Sequence, residues 1–164
     1  EQDYIGSLPD RILTTLEELK NILSDHQINQ LEHSLQAAAR AERDGEDIEL
    51  IVSALIHDIT DALAPKNHSQ NSAAKIRPHI RAEVPWLLQK HVLVQMHNSG
   101  NKLGLQKDER DICREHEFFN AVVKFCQKWD KISFIGKYQI KELSYFELVV
   151  RKIFRGSPFD LKII

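Results

Sequence analysis

The sequence predicts a single domain built only of α-helices. Apolar residues repeat at intervals of three and four along most segments, for example Ile12, Leu16 and Leu19 near the N-terminus, and this spacing places them on one face of a helix. No segment alternates apolar and polar residues in the way that indicates a β-strand. The chain of 164 residues also has the length of one domain with one core.

Three helices are predicted in the N-terminal half, each with a residue that suits its boundary. Pro9 fits the opening of the first helix, Asn29 can cap the second, and Gly45 suits the end of the second. Asp47 starts a third helix that is apolar on all sides, which is typical of a buried helix. The predicted spans are residues 11–23, 30–43 and 47–58.

The C-terminal half predicts four more helices. Asn67 can cap a fourth helix with His68 in its first turn, and Pro78 is expected to break it. A fifth helix runs from about Glu83 to His97 and tolerates a proline in its first turn. The glycine- and asparagine-containing segment 99–104 predicts a loop. The last two predicted helices span about residues 115–131 and 145–154.

Composition argues against several classes of protein. A net charge of −2 and a pI near 6.5 give no broad basic surface for nucleic acid, and no apolar stretch approaches the roughly 20 residues that span a bilayer. The two cysteines form no CxxC motif, and the N-terminus carries no pattern typical of an export signal. We therefore expect a soluble, cytoplasmic protein without nucleic-acid or membrane partners.

The residues that carry chemistry are centred on the tandem His57 and Asp58. This pair closes the most apolar run of the sequence, residues 48–59, and is expected at the end of a buried helix. Unpaired there, the two side chains would carry a large desolvation cost, which metal coordination can offset. Adjacent helical residues point about 100° apart, so both can reach a metal pair from one helix end.

Helical periodicity turns four further residues toward the same interior point, namely His33, His68, His91 and Asp130. Taken singly, each has an ordinary explanation, since a lone histidine is commonly a surface or hydrogen-bonded residue and a lone aspartate a solvated charge. No spacing rule joins these six residues on its own, so the sequence supports a His–Asp metal site and leaves the number of metal ions open. Imidazole and carboxylate ligands suit Fe, Mn, Co, Ni or Zn rather than Mg or Ca.

Four sequence motifs carry a resemblance to a known family. They are Gln-Leu-Glu-His-Ser-Leu-Gln-Ala-Ala at 30–38, Ala-Leu-Ile-His-Asp-Ile at 54–59, Leu-Ala-Pro-Lys-Asn-His at 63–68 and Phe-Cys-Gln-Lys-Trp-Asp-Lys-Ile-Ser-Phe at 125–134. In this order they resemble the HD superfamily of helical metalloenzymes, in its phosphonate-cleaving, PhnZ-like branch, which is related to myo-inositol oxygenase. The resemblance covers about residues 26–155. It implies an HD-type bundle of about six to eight helices in one domain, residues 1–164, with a metal-binding core at about 26–134.

The resemblance also implies a ligand set and an activity. His33, His57, Asp58 and Asp130 would hold one iron, and Asp58 would bridge to a second iron completed by two further histidines. His57 and Asp58 would be the catalytic pair, and the ions would form an Fe2+/Fe3+ couple, although other divalent metals suit the same ligands. Such enzymes use O2 to cleave a C–P or C–C bond next to the hydroxyl-bearing carbon of a small substrate. The two further histidines, which would complete the second iron site, are His68 and His91.

The sequence departs from the phosphonate enzymes at residues that bear on substrate. Leu23 stands where they have a gating tyrosine, Gln95 where they have a lysine, and Asp61 where they have a histidine. A negative charge at Asp61 would repel a phosphonate, so we expect a hydroxylated substrate with a cationic or polyhydroxyl end. The remaining candidate substrate residues are Lys102, Arg110 and Arg114 for an anionic group, together with Ser133 and Tyr138.

Three functional hypotheses follow from the sequence. The first is the di-iron oxygenase, and the second is an HD-type metal-dependent phosphohydrolase that activates water against a phosphoester. The second is weakened because no obvious basic phosphate cradle accompanies the site. The third is an interaction module with a vestigial metal site, which is weakened because every ligand position is filled. The sequence leaves the oligomeric state open.

Overall fold

The chain folds as a bundle of helices in the computed structural model, which describes residues 7–23, 28–61, 63–64, 66–97, 113–134 and 138–155. Among these residues every regular element is helical, apart from an isolated bridge between Leu23 and Asn29, and this confirms the all-α prediction. No helix in the described residues is long and apolar enough to cross a membrane. The α-helices are α1 (Leu8–Glu18), α2 (Gln30–Arg43), α3 (Ile48–Ile56), α4 (His68–Ile76), α5 (Glu83–His97), α6 (Phe119–Phe125) and α7 (Leu143–Phe154).

Short helical segments of other pitch extend several of these helices. Turns of 3₁₀ helix follow α1 at Leu19–Asn21 and α4 at Arg77–His79, where Pro78 ends the α-helical pattern as predicted. A π-helical segment, Cys126–Asp130, continues α6 and is followed by a 3₁₀ turn at Lys131–Phe134. The predicted helix 115–131 is therefore three segments of different pitch.

Local capping sets three of the boundaries that the sequence predicts. The Asn29 side chain accepts a hydrogen bond from the backbone N–H of Glu32 at 2.8 Å and begins α2. Asp47 begins α3 by accepting from the N–H groups of Glu49 and Leu50 at 3.0 and 3.1 Å. Gly45, with φ of 79°, takes the left-handed conformation just after the end of α2.

Two predicted boundaries differ from the structure for physical reasons. Asn67 precedes α4, but its φ of −128° and ψ of 12° lie outside the extended region typical of a cap, and its side chain caps no N–H. The helix predicted from residue 115 begins at Phe119, because the Nδ1 of His116 accepts from the N–H of Phe118 and holds a turn there. The His116 ring also stacks on Trp86 of α5, with 4.0 Å between ring centroids. The predicted loop 99–104 lies outside the described residues.

Helix α3 lies in the core and packs against α2, α5 and α7. Its residues Val52, Ala54 and Leu55 are fully buried, as expected for a helix that is apolar on all sides. Ala37 and Ala38 of α2 are fully buried as well, and such small side chains let two helices approach closely. The C-terminal end of α3 therefore points His57 and Asp58 into the interior.

We expect Asp47→Ala to lower the free energy of unfolding by about 1 kcal/mol, because it removes the cap of α3. In a domain of this size that corresponds to a fall of roughly 2 to 4 °C in Tm, measured by circular dichroism. Asp47→Asn is the matched control, since its amide oxygen can accept the same two hydrogen bonds and should retain most of the stability. Equal Tm values for the Ala variant and the parent would contradict the capping role.

Candidate metal centre

Six buried or nearly buried side chains from separate elements converge on one point in the helical bundle. Two of them follow the end of α3, and the others come from α2, the first turn of α4, the middle of α5 and the end of the π-helical segment. Their donor atoms lie on the inside of the cluster, facing one another. The six are His33, His57, Asp58, His68, His91 and Asp130.

The first half of the cluster is a group of four ligands. The Nε2 atoms of His33 and His57 are 3.1 Å apart, and they lie 3.5 and 3.2 Å from the Oδ2 atom of Asp58. The Oδ1 atom of Asp130 lies 3.3 Å from His33 Nε2 and 3.6 Å from His57 Nε2. Donor atoms bound to one cation at about 2.1 Å lie about 3.0 to 3.4 Å from one another. The spacing of His33, His57 and Asp58 therefore fits one metal ion, and Asp130 lies close to both of these histidines.

The second half of the cluster shares Asp58 with the first. Its other carboxylate oxygen, Oδ1, lies 3.3 Å from the Nε2 of His68 and 3.6 Å from the Nε2 of His91. The donor atoms of these three residues all lie within 4.8 Å of one another. Each oxygen of Asp58 thus faces a different pair of histidines, as a bridging carboxylate would.

Backbone carbonyl groups fix two of the imidazole rings. The Nδ1–H of His57 faces the carbonyl of Ala54 at 2.8 Å, and the Nδ1–H of His91 faces the carbonyl of Leu88 at 2.6 Å. A neutral histidine that donates from Nδ1 has a lone pair at Nε2, and this is the atom that points into the cluster in both residues. The main chain of α3 and α5 therefore prepares both rings to bind a cation.

The His33 ring is held by stacking. It lies against the ring of Phe134, with 3.7 Å between centroids and 14° between planes. Its Nδ1 atom is buried and has no hydrogen-bond partner among the described residues. The position of His33 Nε2 therefore depends on packing against Phe134.

The π-helical segment carries Asp130 into the cluster. The i to i+5 pattern widens the helix, and such segments are frequent at functional sites. The Nε2 amide of Gln95, one turn after His91, donates to the Oδ2 atom of Asp130 at 3.1 Å and leaves Oδ1 facing the histidines. At the same end, the indole N–H of Trp129 donates to Asp44 at 2.9 Å. These contacts orient the carboxylate toward the first ligand group.

Histidines and carboxylates of the cluster shift one another's pKa values toward the charged forms. Burial alone would lower the pKa of His57, but the neighbouring Asp58 and Asp130 carboxylates outweigh it and raise that pKa well above 6.5. Burial likewise opposes ionisation of Asp58, yet the histidines around it hold its pKa well below its usual range. The pKa of Asp130 is lowered in the same way, against burial, by His33 and His57. Both carboxylates are therefore ionised at neutral pH and available to a cation.

These groups can hold metal ions, and their chemistry limits which ions suit them. The donors are imidazole nitrogens and carboxylate oxygens, a set typical of Fe, Mn, Co, Ni and Zn. The nearby Cys126 thiol donates to the carbonyl of His91 at 3.3 Å. Burial raises the pKa of that thiol, so in the metal-free protein Cys126 is a protonated thiol.

The candidate substrate residues have varied surroundings. Asp61 faces His68 and Gln95 faces Asp130, so both contact ligand side chains. A role in substrate binding stays a prediction for all of these residues. Leu23, at the position of the gating tyrosine, is 77% exposed. Of the others, Ser133 is buried and donates to the carbonyl of Trp129, Tyr138 lies under the Arg40 guanidinium, Arg114 is exposed, and Lys102 and Arg110 lie outside the described residues.

Phe134 and Gln30 lie beside the cluster and were not predicted as site residues. Phe134 stacks on His33, and Gln30 lies against Asp61. Gln30 precedes His33 by three positions on α2, so the helical period placed it on the ligand face. Phe134 had no such signal, because its contact depends on how the 3₁₀ turn packs against α2.

Comparison with known proteins adds no relative, since neither a protein-family model nor a curated protein sequence matches the chain. The fold and the site define an all-helical protein with a buried His–Asp cluster that can hold metal ions. Membership of the HD superfamily stays a prediction from the sequence motifs.

Proposed function

We propose that this chain is an HD-type di-iron oxygenase that acts on a small hydroxylated substrate. It would use O2 to cleave a C–P or C–C bond next to the hydroxyl-bearing carbon. The observation that carries the proposal is the position of Asp58, whose two carboxylate oxygens face two separate histidine groups. A carboxylate so placed would be a ligand shared by the two metal ions.

The number of protein ligands supports reaction at the metals. The first position would have four protein ligands with Asp130 included and the second would have three, counting Asp58 in both. Ions with so few protein ligands retain open positions for exogenous ligands. Two carboxylates do not neutralise two divalent or trivalent ions, so the site favours a deprotonated hydroxyl or another anionic group of the substrate.

Iron is the metal we propose, because its redox chemistry suits this donor set and the motifs resemble a di-iron family. When bound, such a pair would supply O2 activation and chelation of a substrate hydroxyl. The chain itself positions the donors and limits water. His33 and His57 are fully buried, and the rings of Phe125 and His57 meet edge to face at 5.4 Å.

The surroundings of the carboxylates favour this function over hydrolysis of a phosphoester. In the described part of the chain, the ion-pair partners of Asp58 and Asp130 are histidines. A phosphohydrolase commonly places lysine or arginine beside its metals to bind the phosphate. Arg40 is buried, but its guanidinium donates to the carbonyl of Ile132 and stacks on Tyr138.

Anaerobic loading with Fe2+ tests the proposal. We expect about two iron ions per chain and, after partial oxidation, a low-temperature EPR signal of a spin-coupled Fe2+/Fe3+ pair. A panel of hydroxyalkyl phosphonates, polyols and hydroxylated quaternary amines should contain a substrate that stimulates O2 consumption. The matched control is His91→Ala, which should bind about one iron and lose the coupled signal.

The same preparation distinguishes the alternatives. Hydrolysis of a phosphodiester by the Mn2+ form, with no substrate-dependent O2 uptake, would replace the oxygenase by an HD-type phosphohydrolase. Failure to bind any of Fe2+, Mn2+, Co2+ or Zn2+ would leave an interaction module without metal chemistry.

A further inference from the structure

His68 is held differently from His57 and His91, the two cluster histidines whose rings face backbone carbonyl groups. His57 and His91 lie three residues after the carbonyl groups that their Nδ1 atoms face, within or at the end of a helix. His68 is the first residue of α4, so no preceding helical turn offers it a carbonyl. Its ring therefore needs an acceptor from elsewhere in the fold.

Asp61 supplies that acceptor. Its Oδ1 atom lies 3.2 Å from the Nδ1 of His68, while the Nε2 of the same ring lies 3.3 Å from Asp58. The adjacent Thr60 donates from its hydroxyl to the backbone carbonyl of His68 at 3.1 Å. Two neighbouring residues thus hold both the backbone and the ring of His68.

The second oxygen of Asp61 is also in contact with the protein. The side-chain amide of Gln30 donates to Oδ2 of Asp61 at 3.4 Å. Gln30 lies on α2, one turn before His33, and is largely buried. Both carboxylate oxygens of Asp61 therefore face side chains of the protein, which reduces what this residue can offer to a substrate.

We propose that Asp61 is a positioning residue that holds His68 toward the second metal position, in place of the substrate-selecting role that the sequence predicts for it. The inference rests on the proposed function, because it requires two metal positions. A carboxylate that accepts a hydrogen bond from the outer ring N–H of a ligand histidine fixes the ring and increases its basicity. Asp61 would therefore determine how tightly the second ion is bound, with little effect on the first.

Gln95 gives the internal comparison, because it contacts a ligand of the other position. Its amide donates to Asp130, which belongs to the first ligand group alone. Removing Asp61 should weaken the second position, and removing Gln95 should weaken the first. If either residue had only a structural role, its removal would weaken metal binding at both positions rather than at one.

The experiment is an anaerobic titration of the metal-free full-length chain with Co2+, followed by the visible absorption bands of Co2+ and by metal analysis after gel filtration. We expect the parent to bind about two ions in two resolved steps. Asp61→Ala should weaken the step assigned to the second position by about 10- to 100-fold and leave the other step unchanged. The assignment of the steps comes from His91→Ala, which should lose the second position, and His33→Ala, which should weaken the first.

Asp61→Asn provides the rescue. Its amide oxygen can still accept from His68, and its amide nitrogen can donate to the Oε1 atom of Gln30 once the Gln30 amide turns over, so the affinity should recover to within about tenfold of the parent. Lys75→Ala, an exposed change on the same helix as His68, is the control and should match the parent.

The outcomes separate the two proposals. Two Co2+ ions bound with unchanged affinities in Asp61→Ala would overturn the positioning role while the dinuclear site stands. Equal weakening of both steps would also overturn it, since the effect would then be structural. A parent chain that binds a single ion would overturn the proposed function and this inference together.

Discussion

Asp58→Ala is expected to abolish stable metal binding at both positions, because Asp58 is the ligand that the two histidine groups share. Each position loses a charged donor in a buried site, so we expect affinity to fall by more than the roughly 100-fold typical of changes beyond the ligands themselves. Metal content after gel filtration should drop from about two ions per chain to a small fraction of one. The measurement is elemental analysis on protein loaded anaerobically with Fe2+.

Matched variants make this expectation specific. Asp130→Ala removes a ligand of the first position alone and should retain about one ion per chain, whereas Asp58→Asn keeps the shape of the side chain without its charge and should lose both ions. Glu32→Ala, next to His33 but outside the cluster, should bind as the parent does. Unchanged far-ultraviolet circular dichroism confirms that the helices remain. If Asp58→Ala kept two ions, Asp58 could not be the shared ligand.

Local chemistry explains which parts of the fold could be predicted from the sequence. Asn29 and Asp47 begin helices through hydrogen bonds to N–H groups two or three residues away, so a short stretch of sequence contains the whole interaction. The start of α6 could not be predicted in this way. The His116 ring, whose Nδ1 accepts from the N–H of Phe118, is held there by stacking on Trp86, thirty positions earlier in the chain, and such a contact has no local pattern.

In the candidate site, too, some features could be predicted from the sequence and others could not. The convergence of the six predicted ligands was accessible to sequence reasoning, since the buried run before His57 and the helical period at His33 and His91 limit where these side chains point. The contacts that orient the ligands were not accessible to sequence reasoning. Asp61 lies in the turn after α3, where no periodicity applies, and its pairing with His68 depends on the path of the loop between them. Asp130 is carried by a π-helical segment, whose pitch departs from the period that the prediction assumes.

Metal removal should lower the thermal stability of the protein substantially. An ion present at about 100 times its Kd stabilises the folded chain by about 2.7 kcal/mol, because it binds the folded state preferentially. In a domain of this size, that corresponds to a fall in Tm of roughly 5 to 10 °C for each position emptied by a chelator. Differential scanning calorimetry of the loaded and chelated protein measures it, with Asp58→Ala as the control that a chelator should not affect.

The difference in Tm between loaded and metal-free protein should grow as pH rises from about 6 to 8. In the metal-free chain, burial lowers the pKa of His57, but Asp58 and Asp130 raise it well above 6.5. A raised pKa in the folded state contributes stability that is complete below 6.5 and is lost as pH rises through the folded pKa. The carboxylate of Asp58, whose pKa is lowered well below 3.8, remains ionised throughout this range.

Metal binding has the opposite dependence on pH, because the ion must displace the proton from His57. Raising the pH therefore removes the competing proton and weakens the metal-free state at the same time. Scans at several pH values, with and without chelator, measure this difference. A stabilisation by metal that stayed constant over this range would show that the ion does not bind at the protonated histidines of the cluster.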